Sequence, residues 1–146
     1  QSLGAGRMRL ARSFGRITLS MGVAIMTLMA VVMYVFSPAL MSVMSPDVSV
    51  CCLTVDILRI EALAEPMFAA SIICYGIFIG AGDTTVPCTM NLASIWGVRI
   101  VLAALLSGCY GLQGVWIAMA IELTFRGFIF LIRFHSDRWM KGKKIV

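Results

Sequence analysis

The sequence predicts an all-α integral membrane protein with four transmembrane helices, and three observations predict it. Of 146 residues, 60% are hydrophobic and 13% charged, against about 25% charged in an average soluble domain. A mean hydropathy of +0.96 is too high for a 15.9 kDa globule with a polar surface, so a bilayer must supply the apolar surroundings. Four apolar runs have the length of a membrane-crossing helix, about 20 residues each. The basic residues, finally, avoid those runs: nine of the twelve Lys and Arg sit at the two ends, from Arg7 to Arg16 and from Arg133 to Lys144.

The first 16 residues form a basic segment assigned to the cytoplasm. Residues 17–36 hold no charge, enough for about 30 Å of helix. This run is expected to end at Ser37-Pro38, because proline cannot continue a helical ladder, with a polar turn at Pro46-Asp47. Residues 57–80 form the second span, with Arg59, Glu61, Glu65 and Pro66 in its first half. Gly80, Gly82, Asp83 and Pro87 mark the next turn, where Asp83 is placed to cap the following helix and Pro87 to lie in its first turn. The third span, 86–106, carries Arg99. Three glycines between Ser107 and Gly114 make a tight hairpin, and 115–134 is the fourth span. A basic tail, 135–146, closes the chain on the cytoplasmic side. Four crossings return both basic ends to one face of the cell (inner) membrane, as positive-inside topology requires, with Tyr34, Tyr110 and Trp116 near the outer interface and Trp139 near the inner one.

Charges inside the spans need a partner or a task, since each costs roughly 2.5 to 3.5 kcal/mol near the bilayer centre. A hairpin centred between Tyr110 and Gly111 puts Arg99 level with Glu122, and the turn at Asp83 puts Arg99 level with Met67, within a turn of Glu65. One buried layer roughly 12 Å deep is therefore expected. Arg99 and Glu122 are expected to pair and set helix register. Arg126 lies four residues after Glu122, on the same face. Glu65 precedes Pro66, whose ring leaves the Ala62 carbonyl without its helical donor, and Glu61 is one turn away. A carboxylate beside freed backbone oxygens suits a sodium ion or a transferable proton, so Glu65 and Glu61 are the ion-coupling or substrate candidates; the competing reading is a helix-entrance charge in water. Asn91, Ser94 and Ser71 are expected to hydrogen-bond across helices.

Other chemistries lack their residues. The five cysteines include no CxxC pair and form no metal-ligand cluster with His135; a disulfide between Cys51 or Cys52 and Cys109 is conceivable, with small apolar filler the favoured reading. Gly4-Ala5-Gly6 echoes Gly80-Ala81-Gly82, each before a span, but neither fits a nucleotide loop, and close packing of helix ends is the expected role. No stretch interleaves basic and aromatic residues as a nucleic-acid surface would. No nucleophile and base stand together, so no catalytic residue is assigned and no enzyme activity is expected. The start lacks an initiator Met and a signal-peptide layout, and the chain is read as beginning mid-protein.

The strings Gly80-Ala81-Gly82-Asp83-Thr84-Thr85-Val86-Pro87, Trp96-Gly97-Val98-Arg99-Ile100, Gly111-Leu112-Gln113-Gly114-Val115-Trp116-Ile117-Ala118 and Arg126-Gly127, in that order and spacing, resemble the multidrug and toxic compound extrusion (MATE) family of efflux transporters. The opening Gln1 to Gly6 resembles the loop before the ninth of that family's twelve helices, and Arg133-Phe134 with Trp139 resembles its end. The resemblance implies the last part of the C-lobe of a twelve-helix, two-lobed antiporter. It would export cationic amphipathic compounds in exchange for Na+ or H+ by alternating access, with no further cofactor. Its partners would be the lipid bilayer, the remaining helices of the parent transporter and cationic small-molecule substrates. This chain departs from the family pattern in three places. Glu65 stands where Gln is more common, with the acid of sodium-coupled members one turn later near Phe68; Ile79 stands for an Arg, and Asp137 for a Gly. The alternatives are a flippase for lipid-linked sugars, which would line its cavity with several basic residues, and a membrane thiol oxidoreductase, which would need a CxxC pair.

Overall fold

The computed structural model describes residues 2–136 and 139. The expectations for Gln1, Asp137, Arg138 and the lysines of the tail lie outside the described residues. The chain forms helices α1 (Met8–Met44), α2 (Val48–Gly80), α3 (Thr85–Ser94) and α4 (Val101–His135), with a π-helical segment at Ile95–Ile100 joining α3 to α4. This is an all-α membrane protein. Three helical stretches are long and apolar enough to cross a bilayer: Met8–Met44, Val48–Gly80 and Thr85–His135.

The third stretch is not one rod. Gly111 breaks it with φ 55° and ψ −131°, a conformation open to glycine and strained for any side chain. Ser94 and Glu122 touch although 28 residues separate them, as do Asn91 and Arg126, 35 apart, and a straight helix would hold either pair at least 40 Å apart, by about 1.5 Å of rise per residue. Two arms therefore run antiparallel from Gly111. At the reversal a Cβ on Gly114 would lie 2.2 Å from the Leu106 carbonyl oxygen, so only glycine lets the arms meet there.

Both internal prolines lie within helices. The expected stop at Ser37-Pro38 does not occur: α1 runs through it to Met44. Pro38 has no N–H for the Tyr34 carbonyl, and the Ser37 hydroxyl donates to that oxygen instead, at 3.1 Å, from a fully buried position. Pro66 likewise sits inside α2. The turn between α1 and α2 is as expected at Pro46-Asp47. Asp47 caps α2, its Oδ1 accepting from Ser49 N at 2.9 Å and Ser49 Oγ at 2.6 Å, and these bonds hold its carboxyl below the usual carboxylate range.

The turn after α2 differs from expectation. Thr84, not Asp83, occupies the cap of α3 and makes no side-chain cap bond; Pro87 does fall in the first turn. Asp83 is taken by Arg133, whose guanidinium also lies 5.6 Å over the Phe78 ring. An ion pair to a fixed arginine outcompetes a local cap for the only free carboxylate in the turn. Gly6 and Gly82 both have positive φ, 71° and 83°, and open space where a Cβ would be. The two Gly-Ala-Gly strings thus share a backbone turn, and not the close packing the sequence led us to expect.

The core lies at the end of the bundle that gathers the start of α1 and the ends of α2 and α4. Phe134 stacks on Trp139, centroids 5.6 Å apart, and Phe78 on Phe130 at 5.9 Å; Trp139 Nε1 donates to the Phe134 carbonyl at 3.1 Å. Gly15 packs on the Phe134 ring and Ile77, tying α1 to the same cluster. Farther along, Gly127 meets the Met67 backbone, a Cβ there falling 2.7 Å from the Met67 carbonyl oxygen. α1 buries only Gly15, Ala30 and Ser37 and exposes apolar side chains over its whole length, the surface expected of a helix in lipid. The cysteines among the described residues are all free, so no disulfide joins Cys51 or Cys52 to Cys109; Cys51 Sγ donates to the Met41 and Ser45 carbonyls at 3.4 and 3.3 Å.

Adding one methyl group at the two close approaches should cost about 1 to 3 kcal/mol each, because the obstacle is backbone that cannot rotate away. Gly114→Ala and Gly127→Ala are expected to lower the melting temperature of the purified protein in detergent, whereas Gly76→Ala, with open space at its Cβ, is expected to leave it unchanged or raise it.

Candidate functional site

The buried polar residues gather where α2, α3 and the second arm of α4 meet. Glu122 is completely buried and its Oε1 has two partners: Ser94 Oγ donates to it at 2.7 Å, and Arg126 Nε lies 3.3 Å away. Arg126 continues the chain of contacts, donating from Nη1 to Asn91 Oδ1 at 2.6 Å and lying 5.8 Å over the Phe68 ring of α2. Four side chains from α3 and α4 are thus linked with the second helix covering them. Helical spacing explains the geometry: Glu122 precedes Arg126 by one turn, the favourable order for an acid and a base, and Asn91 precedes Ser94 by three residues on the facing arm.

The expected Arg99–Glu122 pair does not form. Arg99 instead directs its Nη2 at the sulfur of Met119. The reason is register. Near the reversal, Leu106 opposes Gly114, a midpoint at Tyr110, close to the centre the sequence indicates. Beyond the π segment, Ser94 opposes Glu122 and Asn91 opposes Arg126, which moves the midpoint back to Gly108 and Cys109. A π turn takes in about one residue more than an α turn, so the segment Ile95–Ile100 supplies part of this offset. The single layer therefore divides. Glu122 and Arg126 sit beside Phe68, while Arg99 lies at Met119, within Coulombic range of Glu61.

Glu61 and Glu65 are half-buried on α2, close enough to interact electrostatically with one another, and each has a buried Oε2 without a hydrogen-bond partner. A cavity of about 300 Å³ opens between α1 and α2 beside Ala62 and Pro66, lined also by Thr27 and Tyr34, but Glu65 is not part of its wall. A smaller cavity of about 70 Å³ lies between Ser71, Tyr75, Asn91 and Arg126. Another, about 730 Å³, is at the Pro46 end, between the last turns of α1 and the first turns of α2, and reaches Asp56 and Arg59; the Arg59 guanidinium lies 5.3 Å over the Tyr34 ring. No group of His, Cys, Asp and Glu among the described residues is arranged to hold a metal ion.

Of the residues singled out from sequence, Glu61 and Glu65 come together on one face. Glu122 and Arg126 pair with each other, and Arg99 stands apart from both. Asn91 and Ser94 make the cross-helix bonds expected of them; Ser71 bonds its own helix, donating to the Phe68 carbonyl at 2.8 Å. Gly80 ends α2, and Gly82, Asp83 and Pro87 shape the turn and start of α3 at the core end, far in sequence from the carboxylates. Two features were missed. The Arg133–Asp83 pair has no local signal, its members being 50 residues apart. The Glu122–Arg126 pair did have one, its own spacing of four.

Residues 1–105 match the family described as MatE. The chain is 29% identical over 138 residues to a probable multidrug resistance protein NorM of Deinococcus radiodurans, covering 90% of this chain and 31% of that protein. It is 26% identical over 124 residues to the transporter YisQ of Bacillus subtilis, covering 84% and 27%, and 30% identical over 121 residues to a probable NorM of Brucella suis, covering 78% and 26%. It spans about a third or less of the length of these relatives. No solved structure matches the chain.

Removing one member of the buried pair strands the other, at a cost of about 3 to 5 kcal/mol. Glu122→Ala and Arg126→Ala are each expected to destabilise strongly, and the double variant by less than the sum of the two, read from unfolding in detergent. The corresponding cycle for Arg99 and Glu122 is expected to come out close to additive.

Proposed function

This chain belongs to the MatE family, and we propose that it forms the last four membrane crossings of a secondary active multidrug exporter. In this reading residues 86–106 and 115–134 cross separately, as the reversal at Gly111 supports, and both basic ends face the cytoplasm at the inner membrane. The parent transporter extrudes cationic amphipathic compounds against an inward flow of Na+ or H+ by alternating access. The NorM relatives are named as multidrug resistance proteins, which supports the substrate class.

The single observation that carries a coupling role is the pair of half-buried carboxylates, Glu61 and Glu65, one turn apart on α2 next to Pro66, each with a buried oxygen lacking a partner. Glu122 also has a buried oxygen without a partner, but its other oxygen is held by Ser94 and Arg126, which ties it to the packing of α3 on α4, whereas among the described residues neither Glu61 nor Glu65 has an ion pair. Glu65 and Glu61 take the cation when the site is open to the side of high concentration, and its arrival changes how α2 packs on its neighbours. The apolar, lipid-exposed surfaces and the family match favour transport over catalysis.

The test is ethidium efflux from cells expressing the full-length transporter, with sodium and proton gradients collapsed separately. Efflux is expected to stop with one of the two gradients. Glu65→Gln is expected to reduce gradient-driven efflux at least severalfold while the protein remains in the membrane, and unchanged efflux would remove Glu65 from the mechanism.

A further inference from the structure

We propose that the Tyr34 ring is a cation-binding station on the export path, held by the Arg59 guanidinium until a lipophilic cation displaces it. The proposal rests on the reading of the chain as part of an exporter of cationic compounds, and it names a place where the compound's charge is held. Two cavities follow one another along the crevice between α1 and α2, one of about 730 Å³ at the Pro46 end and one of about 300 Å³ farther from that turn. On α1 the outer cavity reaches Pro38 and the inner one begins at Tyr34; on α2 the outer one reaches Arg59 and the inner one begins at Ala62 and Leu63. Each boundary is about one helical turn, so a single level of the crevice divides the two cavities. At that level the Arg59 guanidinium lies 5.3 Å over the Tyr34 ring. Tyr34 remains 43% exposed, open to a molecule that arrives along the crevice.

The structure already seats a cation on this ring, and seats it differently from the others. Arg126 over Phe68 and Arg133 over Phe78 are also ion-paired, with Glu122 and Asp83, and stay where their carboxylates hold them. Arg59 over Tyr34 has no ion pair among the described residues. A ring face without a carboxylate binds a quaternary ammonium or an aromatic cation as well as a guanidinium, so Arg59 is exchangeable. Asp56 gives the displaced side chain somewhere to go: it is exposed, precedes Arg59 by three residues on the same face of α2, and lines the outer cavity with it. The inner cavity suits the rest of such a ligand. Its side-chain hydroxyls are those of Thr27 and Tyr34, the wall is otherwise apolar, and its volume lies at the lower end of the range for small-molecule sites, about 300 to 1,000 Å³. An apolar cation seated there puts its charge on the Tyr34 ring and passes to the outer cavity when Arg59 returns. Arg59 is thus a built-in competitor that keeps the cation from lodging on the ring.

The experiment is ethidium binding to the purified full-length transporter, read by fluorescence anisotropy, with ethidium efflux from cells expressing the wild type alongside. Arg59→Gln is expected to tighten binding roughly fivefold, because the ring no longer has a tethered occupant. That gain is expected to survive in a Tyr34→Phe background, which keeps the ring, and to shrink to about twofold or less in a Tyr34→Leu background, which keeps apolar bulk and removes the ring face. Removal of a positive charge by itself would tighten binding equally in all three backgrounds, and that result would overturn the proposal. So would a gain lost with Tyr34→Phe, or an affinity unchanged in every variant, as a crevice filled by a lipid tail would give. If the wild type neither binds nor exports ethidium, the export reading falls and the station with it; if the wild type exports ethidium while the effect of Arg59→Gln ignores the ring, only the station falls.

Discussion

A hydrocarbon slab offers no hydrogen bonds, and every polar group carried into it must find a partner within the protein. Much of this chain answers that demand. Backbone groups are satisfied by helices running through positions where a soluble protein would end them. At Pro38 the missing donor is replaced from the same helix by Ser37. Where the chain must turn near the middle of its longest apolar stretch, it does so at Gly111 with a single residue of non-helical backbone, so that few groups are left unpaired. Two glycines, Gly114 and Gly127, then let backbone meet backbone without an intervening side chain. Such approach matters more in lipid than in water, because association of helices there depends on close van der Waals contact and not on the hydrophobic effect.

The same demand sorts the charges. Glu122 and Arg126 neutralise one another on a single helix and tie two facing residues, Ser94 and Asn91, into the pair. At the core end Arg133 binds Asp83 and lies over Phe78, which fastens the turn after α2 to the end of α4. In these two clusters acid meets base, although Glu122 Oε2 and the Nε atoms of Arg126 and Arg133 make no hydrogen bond among the described residues. The group on α2 differs in having no ion pair among the described residues. Glu61 and Glu65 are near one another with oxygens to spare, and the cation nearest in electrostatic terms, Arg99, is turned to a sulfur.

The π segment connects these themes. It lies between Ser94, which faces Glu122, and the stretch of the same arm that reaches Gly111. Arg99, within it, makes its contact with Met119 and not with Glu122. Turns of this kind cost some hydrogen-bond quality and are found mostly where a protein uses the irregularity.

The membrane class, the apolar runs, the turns at Asp47 and Gly82 and the hairpin glycines were all legible in the sequence, because they depend on local composition and on backbone chemistry that a residue carries with it. So was the Glu122–Arg126 spacing, since four residues make one face of any α-helix. The family resemblance was legible for the same reason, its strings being turn and helix-start residues in fixed order. The partner of each remaining charge was not. Asp83 read as a cap because a cap is a local interaction, and only the return of α4 to that end of the bundle put Arg133 in its place. Arg99 read as the partner of Glu122 because a uniform rise per residue was the sole guide to depth, and a π turn violates that uniformity without any composition that announces it. The sequence by itself determined what had to be buried and where the chain could reverse; the tertiary structure alone decided which buried groups meet, because that depends on the register between helices that are far apart in sequence.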